Sequence, residues 1–355
     1  MDTVARYSSC MRKEGAAVIV TLTMNPALDL TTSVDRLLPE AKLRCGPARL
    51  DPGGGGVNVA RVISALGGAA RAILTAGGTM GQAYRERLAG EGLETRAIAI
   101  AGETRLNITV AETDTTAQYR LVLPGPELGE AEWRACLDAV DADLVPGGFV
   151  VASGSLPPGV PTDFYARIAS QAKRRGARCV VDTSGPALAA ALSEGVFLAK
   201  PNQREFCELT GVAPADRRGQ EQAALDMVRR GAAEIVALTL GAEGAVIASA
   251  SGLLRIPPVN VEPQSAVGAG DSFVGAFVLA LSQGRPLANA ACLASAAGVA
   301  ALLTPGTELC READVRRIDR ELAARMGLET PDGAERPLSG DGLPGIASAQ
   351  DNSPT

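Results

Sequence analysis

Apolar and polar positions along this chain follow two alternating patterns. Short apolar runs bounded by glycine or polar residues read as buried strands: Ala16 to Leu22 (AAVIVTL), Ala72 to Ala76, Gly147 to Ala152, Ala177 to Asp182, Ile235 to Leu240 and Ala245 to Ala248. Between them, apolar residues recur at helical spacing. The segment VNVARVISALGG after Gly55 stops at Gly67 and Gly68, and Gly81 to Gly90 and Thr162 to Arg175 read as further helices. Long helices start near Asp271 and Leu287. This alternation predicts an α/β fold: a doubly wound, mostly parallel sheet flanked by helices, with ligands at the strand C-termini.

Two stretches interrupt the alternation. Residues 28–50 and 96–123 contain segments such as NITVAET and AQYRLVL, whose apolar and polar residues alternate with period two and show no helix. Strands inserted at one edge of an α/β domain predict a small β-sheet lid over the site. The ends differ from the middle. Residues 1–15 read as an N-terminal extension, with Met11 as an alternative start, and residues 330–355 are rich in Gly, Pro, Ser and Asp and read as a disordered tail. The folded domain is therefore expected over 16–329.

Composition narrows the chemistry. With 355 residues, 46% of them hydrophobic, the chain can bury one large core, and the 3% aromatic content suits helices packed tightly on a parallel sheet. A net charge of −6 provides no basic field to follow a nucleic-acid backbone. The sequence holds no histidine, which excludes Ser-His and Cys-His hydrolases, histidine metal sites and histidine bases. Proton transfer must then fall to a carboxylate, Lys, Cys or Tyr. The cysteines (Cys10, Cys45, Cys136, Cys179, Cys207, Cys292, Cys310) are odd in number and scattered, as in a reduced cytoplasmic protein without disulfides. No apolar run reaches the roughly 18 residues of a membrane span; the longest, from Val274, is broken by Gln283, Gly284, Arg285 and Pro286.

The segment SAVGAGDSFVGAFVLAL, Ser265 to Leu281, carries the sharpest chemical signal. Gly268, Ala269 and Gly270 precede a strongly apolar helix, so their amides can approach an anion, and Asp271 stands at the helix start. Such a nest stabilises charge on a transferring phosphoryl group, and the neighbouring carboxylate can accept a proton from an attacking hydroxyl. An Asp N-cap after a glycine turn is the equally weighted structural alternative.

GAGD at the head of an apolar helix resembles the C-terminal signature of the ribokinase/PfkB family of carbohydrate kinases. The run DPGGGGVNVARVISALGG, Asp51 to Gly68, resembles its N-terminal signature, and the similarity runs from about Val18 to Arg311. The glycine run does not fit a dinucleotide fingerprint, because its spacing is imperfect and it is not the first βα turn. The resemblance implies a ribokinase-like kinase domain over 16–329, with ATP as phosphoryl donor, magnesium, and a monovalent cation, potassium, as cofactors. It implies that Asp271 is the proton acceptor and that the Gly268, Ala269 and Gly270 amides form the anion hole. Gly54, Gly55 and Asn58 would bind the sugar, and Asp29 would accept hydrogen bonds from its hydroxyls, although a solvated turn Asp remains the alternative. Lys200, Asn202 and Glu205 in KPNQREF resemble the family's KPNxxE segment. Asn202 and Glu205 would organise magnesium through waters. TLGAEGA, with Thr239, Gly241 and Gly244, matches the nucleotide loop, and adenine would sit near Ser295 and Val299.

The branch that handles phosphorylated sugars is the most similar. TLTMNPALD, PEAKLRC, GETRLNITV, SGSLPPG and KPN resemble the minor, ribokinase-like bacterial 6-phosphofructokinases, which implies fructose 6-phosphate as substrate. Arg105 and Lys42 would hold its phosphate, assisted by Asn107, with Ser153 in SGSLPPG also on the sugar side. Enzymes acting on fructose 1-phosphate carry a lysine in the glycine run, where this chain has only glycines. The chain departs from the family at Ala266, where Thr is usual, and at Glu308, where the similar branch has Arg. The cation would take oxygens near Ser265, Val267, Ala301, Thr304 and Gly306. Pairing of two lids would make a homodimer. A kinase for tagatose 6-phosphate or fructose 1-phosphate, and a non-catalytic sugar-phosphate sensor, are the alternatives; an NAD oxidoreductase lacks its fingerprint.

Overall fold

The computed structural model describes residues 18–115 and 117–329. The N-terminal extension with its alternative start at Met11, Cys10, and the tail at 330–355 lie outside the described residues.

In chain order the elements are β1 (Ile19–Thr23), β2 (Ala27–Val34), β3 (Arg49–Gly53), α1 (Gly55–Ala65), β4 (Arg71–Ala76), α2 (Gly78–Gly90), β5 (Glu94–Ala99), β6 (Arg105–Glu112) and β7 (Gln118–Val122). Then follow α3 (Glu130–Asp143), β8 (Phe149–Ser153), α4 (Phe164–Arg175), β9 (Arg178–Asp182), α5 (Gly185–Glu194), β10 (Val196–Ala199), α6 (Gln203–Thr210), α7 (Arg217–Arg229) and β11 (Ala233–Thr239). The chain closes with β12 (Ala245–Ser249), β13 (Gly252–Ile256), α8 (Ala269–Ser282), α9 (Leu287–Leu302) and α10 (Glu312–Arg325).

Nine strands form the main sheet in the order β13-β12-β11-β10-β9-β8-β1-β4-β5. All neighbours from β11 to β5 run parallel, and β12 and β13 add an antiparallel edge. Both faces are covered, which is why β1, β8 and β9 read as continuous apolar runs. Residues of α1, α8, α9 and α10 form one core with Phe149, Val151, Val180 and Leu198. The opposite core joins α3, α4, α5 and α7 to Val20, Leu22, Val150 and Val181. The predicted doubly wound architecture is present. Among the described residues, no helix is long and apolar enough to cross a membrane.

A separate sheet of four strands has the order β3-β2-β6-β7. It draws on both segments that alternate with period two. The second segment starts in the main sheet, however: residues 96–99 belong to β5, which pairs in parallel with β4. Those residues cross over before the chain enters the small sheet at Arg105. Side-chain contacts tie β3 to the large domain. The Tyr84 hydroxyl donates to the Gly53 carbonyl (2.9 Å), Arg87 to Leu50 (3.0 Å), Arg61 to Pro52 (3.2 Å), and Arg49 pairs with Glu308 (2.8 Å). On the outer strand, Tyr119, Leu121, Val122 and, just beyond it, Leu123 are exposed, with Val122 67% accessible.

Candidate active site

The strands β1, β8, β9, β10 and β11 end side by side, and the residues at or just beyond their C-termini are Thr23, Ser153, Asp182, Lys200 and Thr239. The α8 N-terminus rises beside this row. Gly268 precedes the helix with φ of 73°, a left-handed conformation that costs glycine little and other residues much. That turn leaves the amides of Ala269, Gly270 and Asp271 without intrahelical partners, while Ser272 N donates to the Gly268 carbonyl at 2.8 Å. Asp271 is not an N-cap: it lies inside the first turn, and Gly268 occupies the cap.

The Asp271 carboxylate accepts a 2.9 Å hydrogen bond from Asn58 Nδ2 on α1. Burial and the nearby charge of Asp182 push Asp271 up to about 7, against the lowering effects of Asn58 and Lys200. Asp182 pairs with the Lys200 ammonium at 3.0 Å, Lys200 buried and Asp182 partly so. A methyl on Gly270 would stand 3.4 Å from Lys200 Nζ and 3.9 Å from Asp182 Oδ2, so this pair forms the floor under the α8 terminus. Burial pulls the Lys200 ammonium down, yet the Asp182 carboxylate, helped by Glu205 and Asp271, leaves Lys200 above the ordinary lysine value.

The small sheet faces this floor. Asp29 on β2 lies opposite Asn107 on β6 in the parallel register, and Asn107 Nδ2 donates to Asp29 Oδ1 at 2.9 Å. Burial raises Asp29 above the ordinary aspartate value, opposed by the Asn107 bond and the Arg105 charge. Arg105 donates to the backbone carbonyls of Leu123 (3.1 Å) and Asn25 (2.9 Å). No carboxylate among the described residues lies within ion-pair distance of it, and its Nε is buried without a partner. Its burial lowers its pKa, partly offset by Asp29. Gly55 packs so closely against Ser153 that any side chain there would collide with the Ser153 hydroxyl, and Gly54 is the residue before α1. Gly54, Gly55, Asn58 and Ser153 are thus brought together with Asp271. Lys42 is exposed on the loop between β2 and β3, and no hydrogen bond or ion pair joins it to Arg105 or Asp29.

On the nucleotide side, Asn202 caps α6 in a reciprocal capping box. Its side chain accepts from Glu205 N and Glu205 Oε2 accepts from Asn202 N, both at 2.9 Å. One Glu205 oxygen and the Asn202 amide oxygen are therefore engaged in holding the turn. Thr239 bridges to Asn202 at the end of β11, and Gly241 and Gly244 bound a tight 3₁₀ turn that leads into β12. Ser295 lies on α9, its hydroxyl buried without a partner, and Val299 follows one turn later. Among the described residues no cluster of three or more His, Cys, Asp or Glu could hold a metal ion.

The predicted cation residues meet in one loop region. Ser265 Oγ donates to the Gly306 carbonyl at 2.7 Å and accepts from Val267 N at 3.2 Å. Thr304 Oγ1 lies 2.8 Å from both the Ala301 and the Glu308 carbonyl. Glu308 itself turns outward to Arg49 and Arg311, while Thr307 Oγ1 donates to Asp51 at 2.6 Å. This loop is consequently clasped by β3.

Sequence reasoning overlooked Asp182, Asn25 and Arg61. Asp182 ends a predicted parallel strand, a position where α/β folds collect functional residues, and that signal was available. Asn25 sits in MNPALD beside the chosen Asp29, and its Nδ2 donates to Ser155 Oγ at 3.2 Å. Arg61 looks like a solvated helix charge until the fold brings Pro52 and Glu91 to it.

Comparison with known proteins identifies the family. Residues 17–314 match the family model described as pfkB family carbohydrate kinase. The chain belongs to that family. It is 46% identical over 311 residues to an ATP-dependent 6-phosphofructokinase isozyme 2 of Mycobacterium tuberculosis, covering 88% of this chain and 91% of that protein. Two crystal structures of phosphofructokinase-2 from Escherichia coli, one in complex with potassium and one with fructose-6-phosphate, superpose with TM-scores of 0.84 and 0.82. They share 40% and 39% identity, covering 86% of this chain and 99% of theirs. A 1-phosphofructokinase of Xanthomonas campestris is 36% identical over 270 residues, 74% of this chain and 83% of that protein.

Proposed function

We propose that this kinase transfers the γ-phosphoryl group of ATP to the 1-hydroxyl of fructose 6-phosphate, giving fructose 1,6-bisphosphate. The observation that carries the reading is a half-buried carboxylate at the free amides of the α8 terminus, Asp271, held by Asn58, in the same cleft as a half-buried arginine with no ion-pair partner among the described residues, Arg105. An arginine in a polar cleft with no carboxylate at ion-pair distance suits a second anion, the phosphate already on the sugar. Lys42 adds charge from the exposed loop when the small sheet closes as a lid. Asp29, with Asn107 fixing one of its oxygens, accepts hydrogen bonds from sugar hydroxyls, and Gly54, Gly55, Asn58 and Ser153 line the same face.

Asp271 takes the proton as the sugar oxygen attacks the γ-phosphorus. The amides of Ala269 and Gly270 meet the charge on the equatorial oxygens, and Lys200, fixed by Asp182, contributes positive potential from below. Magnesium, when bound, neutralises phosphate charge; Asn202 and Glu205 would hold it through waters, which fits a site with no acidic cluster and with both side chains already engaged in a capping box. Lys200, Thr239, Gly241 and Gly244 line the nucleotide path, and the unpartnered Ser295 hydroxyl with Val299 receives the base. Potassium fits the Ser265, Val267, Ala301, Thr304 and Gly306 loop, where hydroxyl and carbonyl oxygens converge.

The exposed apolar residues on β7 support a homodimer through the small sheet, and dispersed free thiols suit a reducing cytoplasm. The relative acting as a 1-phosphofructokinase favours fructose 1-phosphate as the second reading, against which the all-glycine run of Gly53 to Gly56 stands. ADP release with magnesium-ATP and potassium, measured in parallel on fructose 6-phosphate, fructose 1-phosphate, tagatose 6-phosphate and fructose, decides among them. Preference for fructose 6-phosphate supports the proposal. Preference for another sugar overturns the substrate and keeps the kinase, and no turnover leaves a sugar-phosphate sensor.

A further inference from the structure

The guanidinium of Arg61, one turn beyond Asn58 on α1, is gripped on three sides. Glu91 at the end of α2 takes it in a two-pronged ion pair, Nε to Oε2 at 2.7 Å and Nη2 to Oε1 at 3.0 Å. Its remaining nitrogen, Nη1, donates to the Pro52 carbonyl on β3 at 3.2 Å and reaches Asn58 Oδ1 at 3.4 Å. The side chain is 19% exposed, so little water competes for these positions.

An asparagine amide can turn over, exchanging its acceptor oxygen for its donor nitrogen. Here one orientation is favoured from both ends. With the oxygen toward Arg61 Nη1, the nitrogen faces Asp271 Oδ2 and donates at 2.9 Å. Turned over, the amide would point N–H groups at a guanidinium and a carbonyl oxygen at a carboxylate, both repulsive.

We propose that Arg61 is a positioning residue for phosphoryl transfer: it locks the Asn58 amide so that Nδ2 holds Asp271 Oδ2, leaving Asp271 Oδ1 for the sugar hydroxyl. The proposal rests on the reading of Asp271 as proton acceptor. The same guanidinium ties β3 to α1 through Pro52, whose register partner is Leu28, the neighbour of Asp29 on β2. One fixed charge therefore sets the sugar-facing strand and the proton acceptor's partner relative to each other.

Asp271 is faced by Asp182 from the end of β9, Lys200 after β10, Asp29 from β2 and Asn58 from α1. Loss of the Asn58 donor leaves burial and the two acidic neighbours opposed by Lys200 alone, so the carboxylate ionises at higher pH. The test is a double-mutant cycle of R61M and N58A, read as kcat for fructose 6-phosphate across pH, with thermal melting to confirm folding. R61M is expected to lower kcat about tenfold, the worth of one hydrogen bond of ordinary net strength, and to move the acidic limb upward. In the N58A background R61M should leave the acidic limb where it is and lower kcat clearly less than it does alone, and R61K in the presence of Asn58 should restore part of both. Independent, multiplying effects of R61M and N58A, or an unmoved limb in R61M, overturn the proposal.

If R61M does not fold, E91Q loosens the same guanidinium from its outer side, and its acidic limb must still move upward; a limb that stays in place rejects the role. D271N separates the two levels. An inactive D271N with a multiplicative cycle removes only the role of Arg61, whereas a D271N that turns over like wild type removes the proton acceptor and this proposal with it.

Discussion

Asn58 on α1 and Asp271 on α8 stand 213 residues apart in the chain and are joined by a 2.9 Å hydrogen bond from amide to carboxylate. Each lies at the head of a helix behind a glycine turn, so two separate signatures converge on one pair of atoms. The bond leaves the Asp271 carboxylate ionisable in a place where burial and Asp182 would otherwise keep it protonated.

A half-buried acid whose proton is held this tightly works against stability, and the sign can be followed. The unfolded chain ionises Asp271 near 3.8, while the folded protein holds the proton up to about 7. The folded state therefore binds more protons in this window, and stability falls as pH rises through it. Asp271→Asn removes the effect. Its melting temperature should exceed that of the wild type at pH 8, by an amount reflecting a few kcal/mol at most, and should match it near pH 4. A lower melting temperature for the variant at pH 8 would contradict the burial account.

Asp182 tests the same field from the other side. Asp182→Asn removes an acidic neighbour of Asp271, so the acidic limb of kcat/KM should move to lower pH. It also leaves the Lys200 ammonium buried without its 3.0 Å partner, which should cost about 3–5 kcal/mol in denaturant unfolding. An unchanged pH profile would remove Asp182 from the electrostatics of the site.

Arg105→Ala should raise KM for fructose 6-phosphate about 10- to 100-fold, as expected for a charge-assisted contact, with KM for ATP nearly unchanged. Equal loss of affinity for fructose and fructose 6-phosphate would deny Arg105 the phosphate.

The outer strand of the small sheet offers a test of assembly. Leu121→Asp combined with Val122→Lys places charges on the exposed apolar edge, and light scattering should report a monomer where the proposed pairing of small sheets gives the wild type a dimer's mass. A mass that does not change would exclude this strand from the interface.

Much of this arrangement is legible in the sequence, because its signals are local. The apolar runs of β1, β8 and β9 can only be strands covered on both faces, and the glycines before α1 and α8 announce turns that expose backbone amides. Asn58 and Asp271 sit behind such glycine turns, whereas Asp29 and Arg105 lie on β2 and β6 and are singled out by the family resemblance. What escaped is non-local. The strand at residues 96–99 has the same alternation as β6, and only the crossover decides which sheet receives it. Asp182 carried a local signal as the end of a parallel strand, and the fold adds that this strand ends beside α8. The clasp of Arg49 and Asp51 on Thr307 and Glu308 joins segments more than 250 residues apart, and surface charges carry no pattern that reveals such a partner.

The most direct test of the account is a single-turnover measurement on wild type and Asp271→Asn with labelled γ-phosphoryl ATP and fructose 6-phosphate, with the product identified by phosphorus NMR. The account predicts fructose 1,6-bisphosphate from the wild type and a rate roughly 10²–10⁴-fold lower in the folded variant, the range general base catalysis supplies. Phosphorylation at another hydroxyl, or a variant as fast as the wild type, would contradict it.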